Sequence, residues 1–472
     1  MTNNPSNGSR SNLVAGLDIG TTKIACFIGE RAESGKYRII GYAKTESVGV
    51  VHGVVKNIID TANSIKIAVT EASEMAKVPI SEVYVGIAGQ HIKSGTNRGS
   101  IMIPENHDQI EPADIQRLID DQYHIMLEPG EDIIHVFPQD YFVDNELLDA
   151  DIDPVGVAGK CLMANFHIVT GNSNNIKYIR RAVEMAGLTI CGVVLEPVAS
   201  AYAVLNDLDR SAGVTLVDIG GGTTDIAIFK DHNIRHTSVI PLAGNSITND
   251  IRDGCHILKH QAESLKTKFG SCVPAAVNQD DIISIPGIRN QPAREIGVKT
   301  LAGIIKARTQ MILDMISFEI ENSGYKDSLL AGITLTGGGS QLKNIREYCE
   351  FLTGIDTRIG IPNEHLEPQG GVSPDELSHP MYSTGIGLVI YGIIEREKAA
   401  EKAAEKAAEK TAEKAKHVEP EAQPEPETND AAEEKDEPKA KRQKKAPRTD
   451  KNLNDIFKNW VTKIFEDDDL AE

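Results

Sequence analysis

The sequence predicts an α/β chain of two similar halves, with a small α+β insertion in the first and a long polar linker ending in an amphipathic helix. Three observations lead there: a Gly/Thr hairpin that occurs twice, a third apolar strand that ends in glycines, and an abrupt change of composition at Glu395. With 472 residues the chain exceeds the roughly 250 to 300 at which a single core stops growing, so more than one domain is expected.

Residues 214–229, VTLVDIGGGTTDIAIF, form an apolar strand, a polar turn and a second apolar strand. Gly220, Gly221 and Gly222 can take positive φ and leave the backbone open to close approach, while Asp218 closes the buried strand with a carboxylate. Such a turn aims several N–H groups at one point. It makes an anion nest that fits a phosphate, and the carboxylate can hold Mg2+ through water. Taken alone, the element is equally well a Gly-rich hairpin without a ligand. Residues 13–27, LVAGLDIGTTKIACF, repeat the order of apolar run, Asp-Ile-Gly, two threonines and a strand with Ile-Ala and then Phe. This copy has a turn two residues shorter and sets Lys23 where the other has Asp225. Two phosphate hairpins in one chain suggest a duplicated fold whose halves face each other across a nucleotide. Residues 333–339, ITLTGGG, fit the adenosine side of that cleft.

These segments resemble the two phosphate segments and the adenosine segment of the actin, Hsp70 and sugar-kinase ATPase superfamily, in that order. The resemblance implies the actin-like (ribonuclease H-like) two-domain ATPase fold and ATP with Mg2+ as cofactors. It assigns cofactor contacts to Asp18, Gly20, Thr21, Thr22 and Lys23, to Asp218, Gly220, Gly221, Gly222, Thr223 and Thr224, and to Gly337, Gly338 and Gly339. Asp18 and Asp218 would hold Mg2+ through water.

Composition narrows the partners. A net charge of −20 makes the body an unlikely nucleic-acid binder. Cys26, Cys161, Cys191, Cys255, Cys272 and Cys349 show no metal spacing and are expected as buried free thiols in a reducing cytosol. The polar start, MTNNPSNGSRSN, is expected to be disordered and has no apolar secretory core. No apolar run approaches the ~20 residues that cross a bilayer, so membrane contact is expected to be peripheral.

In chain order, a strand over 37–45 and a helix over 58–76 complete the first half-unit, the helix signalled by apolar spacing and by Pro79 beyond its end. A strand over 83–88 precedes the insertion. Within that insertion, strand material at 101–104, a helix from Glu111 to about Met126 and strands at 133–137 and 141–143 close by about Lys160. The main fold is then expected to resume with a strand over 164–170, a helix over 174–186 and a strand over 188–195. The expected domains are 13–83 with 164–199 and 361–394, the insertion 84–163, a second core of 200–238 with 309–360, and a smaller subdomain over 239–308.

Glu196 follows a strand end beside the cleft, where an acid can orient a water; a helix-start acid favoured by the dipole explains it as simply. Its setting is similar to the Glu-Pro-x-Ala segment of Hsp70-like ATPases, which implies a catalytic role. Glu263 and Lys266 share a helical face, by default a solvated ion pair. They resemble the Glu-x-x-Lys helix that holds adenosine in Hsp70 and bacterial actin relatives. Short helices at 247–251 and 256–269, a strand at 282–285 and a long helix over 301–321 complete the smaller subdomain. Gly385, Gly387 and Gly392 punctuate an apolar helix, for hinge packing or for plain core packing.

After Glu395, near-copies of EKAA over 397–410 make a semi-rigid helical spacer. Residues 417–438 are Pro/Glu-rich and expected to be disordered. A basic cluster follows, Lys439, Lys441, Arg442, Lys444, Lys445 and Arg448, and the linker runs over 395–450. Residues 451–472 form the final element. Leu453, Ile456, Phe457, Trp460, Val461, Ile464 and Phe465 make one apolar stripe that includes the chain's only tryptophan. A docking helix has the same pattern. The tether, basic cluster and terminal place favour an interfacial membrane helix, each basic residue adding about 1 kcal/mol near an anionic leaflet.

An actin-like ATPase with such an insertion and tail is similar to the FtsA family of bacterial cell-division proteins. That resemblance implies ATP binding with at most slow hydrolysis, head-to-tail self-polymerisation, binding of the FtsZ C-terminal tail through the stretch 247–308, recruitment of later division proteins through the insertion, and a peripheral place on the anionic inner face of the cytoplasmic membrane at the division site. A small-molecule kinase of the same superfamily, with Asp250 or Asp253 as base, is the alternative. A chaperone would need a β-domain after Glu395, which the linker cannot form.

Overall fold

The computed structural model describes residues 13–150, 152–286, 292–367 and 371–416. The N-terminal dozen, the linker beyond Lys416 and the amphipathic stretch with Leu453 to Phe465 lie outside the described residues. The chain divides into a unit ending at Ala407 and another starting at Ala408. The sheets, the insertion and the cleft all belong to the first.

The first half runs β1 (Val14–Ile19), β2 (Lys23–Arg31), β3 (Tyr37–Glu46), a small hairpin of β4 (Val50–Val51) and β5 (Val54–Val55), α1 (Ile58–Ala76) and β6 (Glu82–Ile87). Insertion elements follow: β7 (Lys93–Met102), α2 (Pro112–Gln122), β8 (Glu131–Val143), β9 (Glu146–Leu147) and β10 (Cys161–Asn172). The chain returns through α3 (Ser173–Met185), β11 (Thr189–Leu195), α4 (Glu196–Val204) and α5 (Asp207–Ala212). In the second half come β12 (Val214–Ile219), β13 (Thr224–Lys230), β14 (Asn233–Ile240), α6 (Gly244–Cys255), α7 (Lys259–Phe269), β15 (Ile282–Ile285), β16 (Arg294–Gly297), α8 (Val298–Ser323), β17 (Ile333–Thr336), α9 (Ile345–Thr353) and β18 (Thr357–Ile359). α10 (Pro374–Leu377) and α11 (Ser383–Lys416) end the described chain.

The halves repeat one topology. The first sheet has the order β11-β6-β1-β2-β3 and the second β18-β17-β12-β13-β14. In each, the central strand pairs antiparallel with the next strand and parallel with a later one. α1 shows why the sequence folds this way locally. Asn57 caps its first N–H groups, Ala62, Ile65, Ala68, Val69 and Ala72 turn inward, and Lys77 ends it in the left-handed region.

The two helices that join the halves touch backbone to backbone. A Cβ on Gly387 of α11 would lie 1.8 Å from the Ala199 carbonyl oxygen of α4, and one on Gly385 would lie 2.3 Å from the Phe27 ring. Both glycines are therefore required by close approach.

The insertion departs from the sequence reading. The strand assigned to the main fold after residue 160 is β10, which pairs along its length with β7 and β8 in the insertion's own sheet. The two short strands expected at 133–137 and 141–143 are one strand, β8, that runs through Pro138. A register shift opposite Asn165 and Phe166 leaves Gln139 as the extra residue of a bulge, which accommodates a proline without breaking the strand. Gln139 uses its freedom: its side-chain amide donates to the carbonyls of Ile234 and Arg235 on β14 at 2.9 and 3.0 Å. Arg235 pairs back with Asp140. Cys191 is exposed and Cys161 and Cys255 are half-buried, so only Cys26, Cys272 and Cys349 match the expectation of buried thiols.

Two buried histidines fasten this insertion to its neighbours. His135 on β8 accepts the Leu195 N–H through Nε2 at 3.0 Å, and His167 on β10 meets the Thr237 hydroxyl at 2.8 Å. Burial pushes each pKa down to about 4. A lowered folded-state pKa means that stability is complete above about 6.5 and is lost as pH falls towards 4. His167→Gln should therefore unfold with less acid sensitivity than wild type, the difference between pH 7 and pH 5 shrinking by about 2 kcal/mol in thermal or denaturant unfolding.

Candidate functional site

The two hairpins close with the same geometry. Asp18 pairs with Ala25 and Ile19 with Ile24; Asp218 pairs with Asp225 and Ile219 with Thr224. Gly20 N–H donates to the Lys23 carbonyl at 3.0 Å, and Gly220 N–H to the Thr223 carbonyl at 2.9 Å. The turns are thus of equal length. Lys23 corresponds to Thr223 and Ala25 to Asp225, which corrects the shorter first turn and the Lys23–Asp225 match read from the sequence.

The structure brings the two turns together. A Cβ on Gly221 would lie 1.9 Å from Thr22 Oγ1, and one on Gly222 would lie 2.4 Å from Thr21 Oγ1. Side chains in the second turn would collide with the threonines of the first. The backbone N–H groups of Thr21, Thr22, Gly221, Gly222 and Thr223 have no acceptor among the described residues, while the carbonyls of Thr22, Lys23, Gly220, Gly221, Gly222 and Thr223 all accept hydrogen bonds. Gly244 and Asn245, at the start of α6, donate to the Gly220 and Gly221 carbonyls at 3.1 and 2.8 Å. The outcome is a cluster of free donors, the chemistry of an anion nest.

Carboxylates gather behind it. Asp18 is buried and pairs with Lys23. Asp218 accepts from the Ser200 hydroxyl at 2.7 Å and from Thr384 at 3.2 Å. Glu196 opens α4 and packs on Gly86, where a Cβ would come within 3.1 Å of its Cγ. Burial, then repulsion from Asp18, Asp225 and Asp218, holds the Glu196 carboxyl well above its ordinary range. Burial and Asp218 push Asp225 up to about 7. Burial also raises Asp218, its hydroxyl partners opposing the shift. For Lys23 burial favours loss of the proton, but Asp18 and the other acids prevail and its pKa goes up. Asp225 Oδ1 is buried with no hydrogen-bond partner. This crowding of buried carboxyls around a single ammonium, beside free N–H donors, fits a hydrated cation: Asp18 and Asp218 would hold its waters, and it would supply positive charge next to an anion. Among the described residues no group of three or more His, Cys, Asp or Glu is arranged to hold a metal by itself.

β17 lies parallel to β12 and delivers the third glycine run. Gly337 has φ +81, and a Cβ there would lie 2.2 Å from Asp218 Oδ1; one on Gly339 would lie 2.4 Å from Ile219 Cγ2. Gly338 faces open space, with its nearest neighbour at 4.0 Å. On the other flank Lys266 Nζ donates to the Gly244 carbonyl and to Thr248 at 3.0 and 2.9 Å and pairs with Glu263 at 2.8 Å. The pair is therefore tied to the helix that holds the second turn rather than solvated on its own face. Thr224 turns its hydroxyl to the Leu242 carbonyl and Thr223 to Asp225, so neither hydroxyl is free.

Sequence reasoning did not single out Asp225, Ser200, Thr384, Thr248 or His52 as site residues. Ser200 and Thr384 are hydroxyls inside otherwise apolar helix starts, a pattern that does not say which carboxylate they meet. Of the two acids considered as kinase bases, Asp250 accepts from Nε and Nη2 of Arg308 at 2.6 and 2.9 Å and Asp253 pairs with Arg252. Neither is a free base.

Comparison with known proteins bears on the same residues. The family model described as "Cell division protein FtsA" matches residues 215–387, and "SHS2 domain inserted in FTSA" matches residues 89–170. The chain is similar to the cell division protein FtsA of Pseudomonas aeruginosa, 36% identical over 381 residues, covering 81% of this chain and 89% of the relative. That of Neisseria meningitidis serogroup B is 37% identical over 374 residues, covering 79% and 88%, and that of Escherichia coli K12 is 33% identical over 387, covering 80% and 90%. Among solved structures, the PilM–PilN type IV pilus biogenesis complex matches with a TM-score of 0.59 at 14% identity, over 80% of this chain and 98% of that one. MreB5 of Spiroplasma citri bound to ADP matches with a TM-score of 0.50 at 16% identity, over 84% and 99%. The fold is actin-like, with an SHS2 insertion.

The acid cluster makes a prediction of its own. A raised folded-state pKa at Asp225 costs stability above about 7, and the cost vanishes as pH falls towards the ordinary carboxylate value. Asp225→Asn should stabilise the ligand-free chain at pH 8, by on the order of 1 to 3 kcal/mol, and by roughly a third of that gain at pH 5 in paired melts.

Proposed function

Because this chain belongs to the FtsA family of cell division proteins, we propose that it binds ATP with Mg2+ between the two hairpins, polymerises head to tail and tethers FtsZ filaments to the inner face of the cytoplasmic membrane. The single observation that carries the nucleotide part is the set of free N–H groups on two touching turns, backed by Asp18 and Asp218. Those donors hold phosphate oxygens, the two carboxylates hold the water shell of Mg2+, and Gly337, Gly338, Gly339, Glu263 and Lys266 flank the adenosine. Mg2+ supplies the charge that balances phosphates against the acids.

Hydrolysis is at most slow in this reading. Glu196 is the water-orienting group in this reading; burial, then repulsion from the neighbouring acids, raises its pKa and weakens it as a base. Nucleotide then acts as a polymer switch. Attachment to FtsZ goes through its C-terminal tail on the stretch 247–308, and the insertion recruits later division proteins.

Membrane contact falls to the stripe of Leu453, Ile456, Phe457, Trp460, Val461, Ile464 and Phe465. No described helix is long and apolar enough to cross a membrane. One such amphipathic helix binds lipid reversibly, whereas a polymer presents many, so each further attachment is intramolecular. Polymer state thereby sets membrane residence.

Liposome flotation of the full chain tests this. ATP should raise the floated fraction several-fold over nucleotide-free protein, and equal flotation by monomer and polymer would contradict it. Trp460→Glu should abolish flotation and keep ATP affinity; a loss of ATP affinity in that variant would point to a tail that docks on the body instead.

A further inference from the structure

The second phosphate turn owes one of its bonds to the other half of the molecule. Its Gly220 and Gly221 carbonyls accept from α6 and its Thr223 carbonyl from Gly220, all within the second half. The Gly222 carbonyl accepts from His52 Nδ1 at 3.1 Å. A carbonyl cannot donate, so the His52 tautomer in this bond carries its proton on Nδ1.

His52 and Gly53 form the two-residue turn between β4 and β5, with φ of 48 and 73, the left-handed pair such a hairpin requires. The Gly53 N–H donates to Thr21 Oγ1 at 3.0 Å, so one hairpin tip contacts both phosphate turns. Its base is fixed as well: Lys56 and Asn57 N–H both return to the Gly49 carbonyl, at 2.7 and 3.1 Å, and Asn57 caps α1. The tip therefore has a rigid mount.

We propose that His52 is a positioning residue for the nucleotide phosphates, acting from the first half on the second turn. In a trans peptide the Gly222 C=O and the Thr223 N–H point in opposite directions. By holding that carbonyl, His52 holds the Thr223 N–H on the other side of the peptide plane as a free donor, and the nest stays open for an anion. Without it, the Gly222–Thr223 peptide can rotate and offer phosphate an oxygen in place of an N–H. The inference rests on the nucleotide reading of this site.

The test measures binding of Mg-AMPPNP, Mg-ADP and adenosine by the full chain, using titration calorimetry. His52→Gly removes the ring at no cost to a left-handed position, and His52→Asn keeps an amide donor in a residue that tolerates that conformation. Circular dichroism and thermal unfolding check both folds. His52→Gly should weaken AMPPNP about 3- to 10-fold with adenosine unchanged, and His52→Asn should return to within about 2-fold of wild type. AMPPNP affinity equal to wild type in His52→Gly, an equal loss for adenosine, or failure of His52→Asn to rescue would overturn the role of His52 alone. Wild-type protein that binds no adenine nucleotide would overturn the site reading and this inference with it.

Discussion

The fold is arranged around an electrostatic constraint: four acids, Asp18, Asp218, Asp225 and Glu196, share one buried region with a single ammonium, Lys23. Such a cluster opposes folding unless protons or cations relieve it. The chain tolerates it because each acid sits on a rigid element: Asp18 and Asp218 at the ends of central strands, Glu196 at the first position of a helix, Asp225 opposite Asp218 in the antiparallel ladder. The raised pKa values of Asp218, Asp225 and Glu196 register burial first and mutual repulsion second. A site that is uncomfortable without its ligand is the expected trade of stability for function.

Repetition of the half-unit explains why the acids meet. Each half uses its central strand to present Asp-Ile-Gly at a turn, and the halves are held face to face by α4 and α11, whose backbones touch at Ala199 and Gly387. Ser200, one residue on in α4, and Thr384 in α11 then reach Asp218 from the joining helices. The same helices that connect the halves thereby sense the carboxylate. The insertion adds another link, since Gln139 and Arg235, with His167 and Thr237, join it to the edge strand of the second half. A movement of one half on the other has to pass through these bonds.

Much of this was legible in the sequence because the hairpins combine short-range signals: a buried run, an acid, glycines and threonines in fixed order. α1 was legible for the same reason, its apolar spacing and its ends agreeing with the observed Ile58–Ala76. Equal turn lengths were not, because the two turns differ in composition and only backbone pairing reveals that Lys23 and Thr223 correspond. The end of the insertion was misjudged because a strand's sheet membership is a long-range property that the strand's own residues do not encode. The gap expected between 137 and 141 coincides with Pro138, a residue that interrupts a strand unless a bulge absorbs it. Ser200, Thr384 and His52 could not be placed: a hydroxyl in an apolar helix, or a histidine in a turn, carries no sign of what lies opposite.

The central claim is that both hairpins serve one nucleotide. Calorimetric titration of ATP in the presence of Mg2+ against the full chain, and against Asp18→Asn and Asp218→Asn separately, tests it most directly. The account predicts one ATP bound per chain, with affinity lost in either variant although the carboxylates belong to different halves. Two independent sites, or binding that survives one of the substitutions intact, would contradict it.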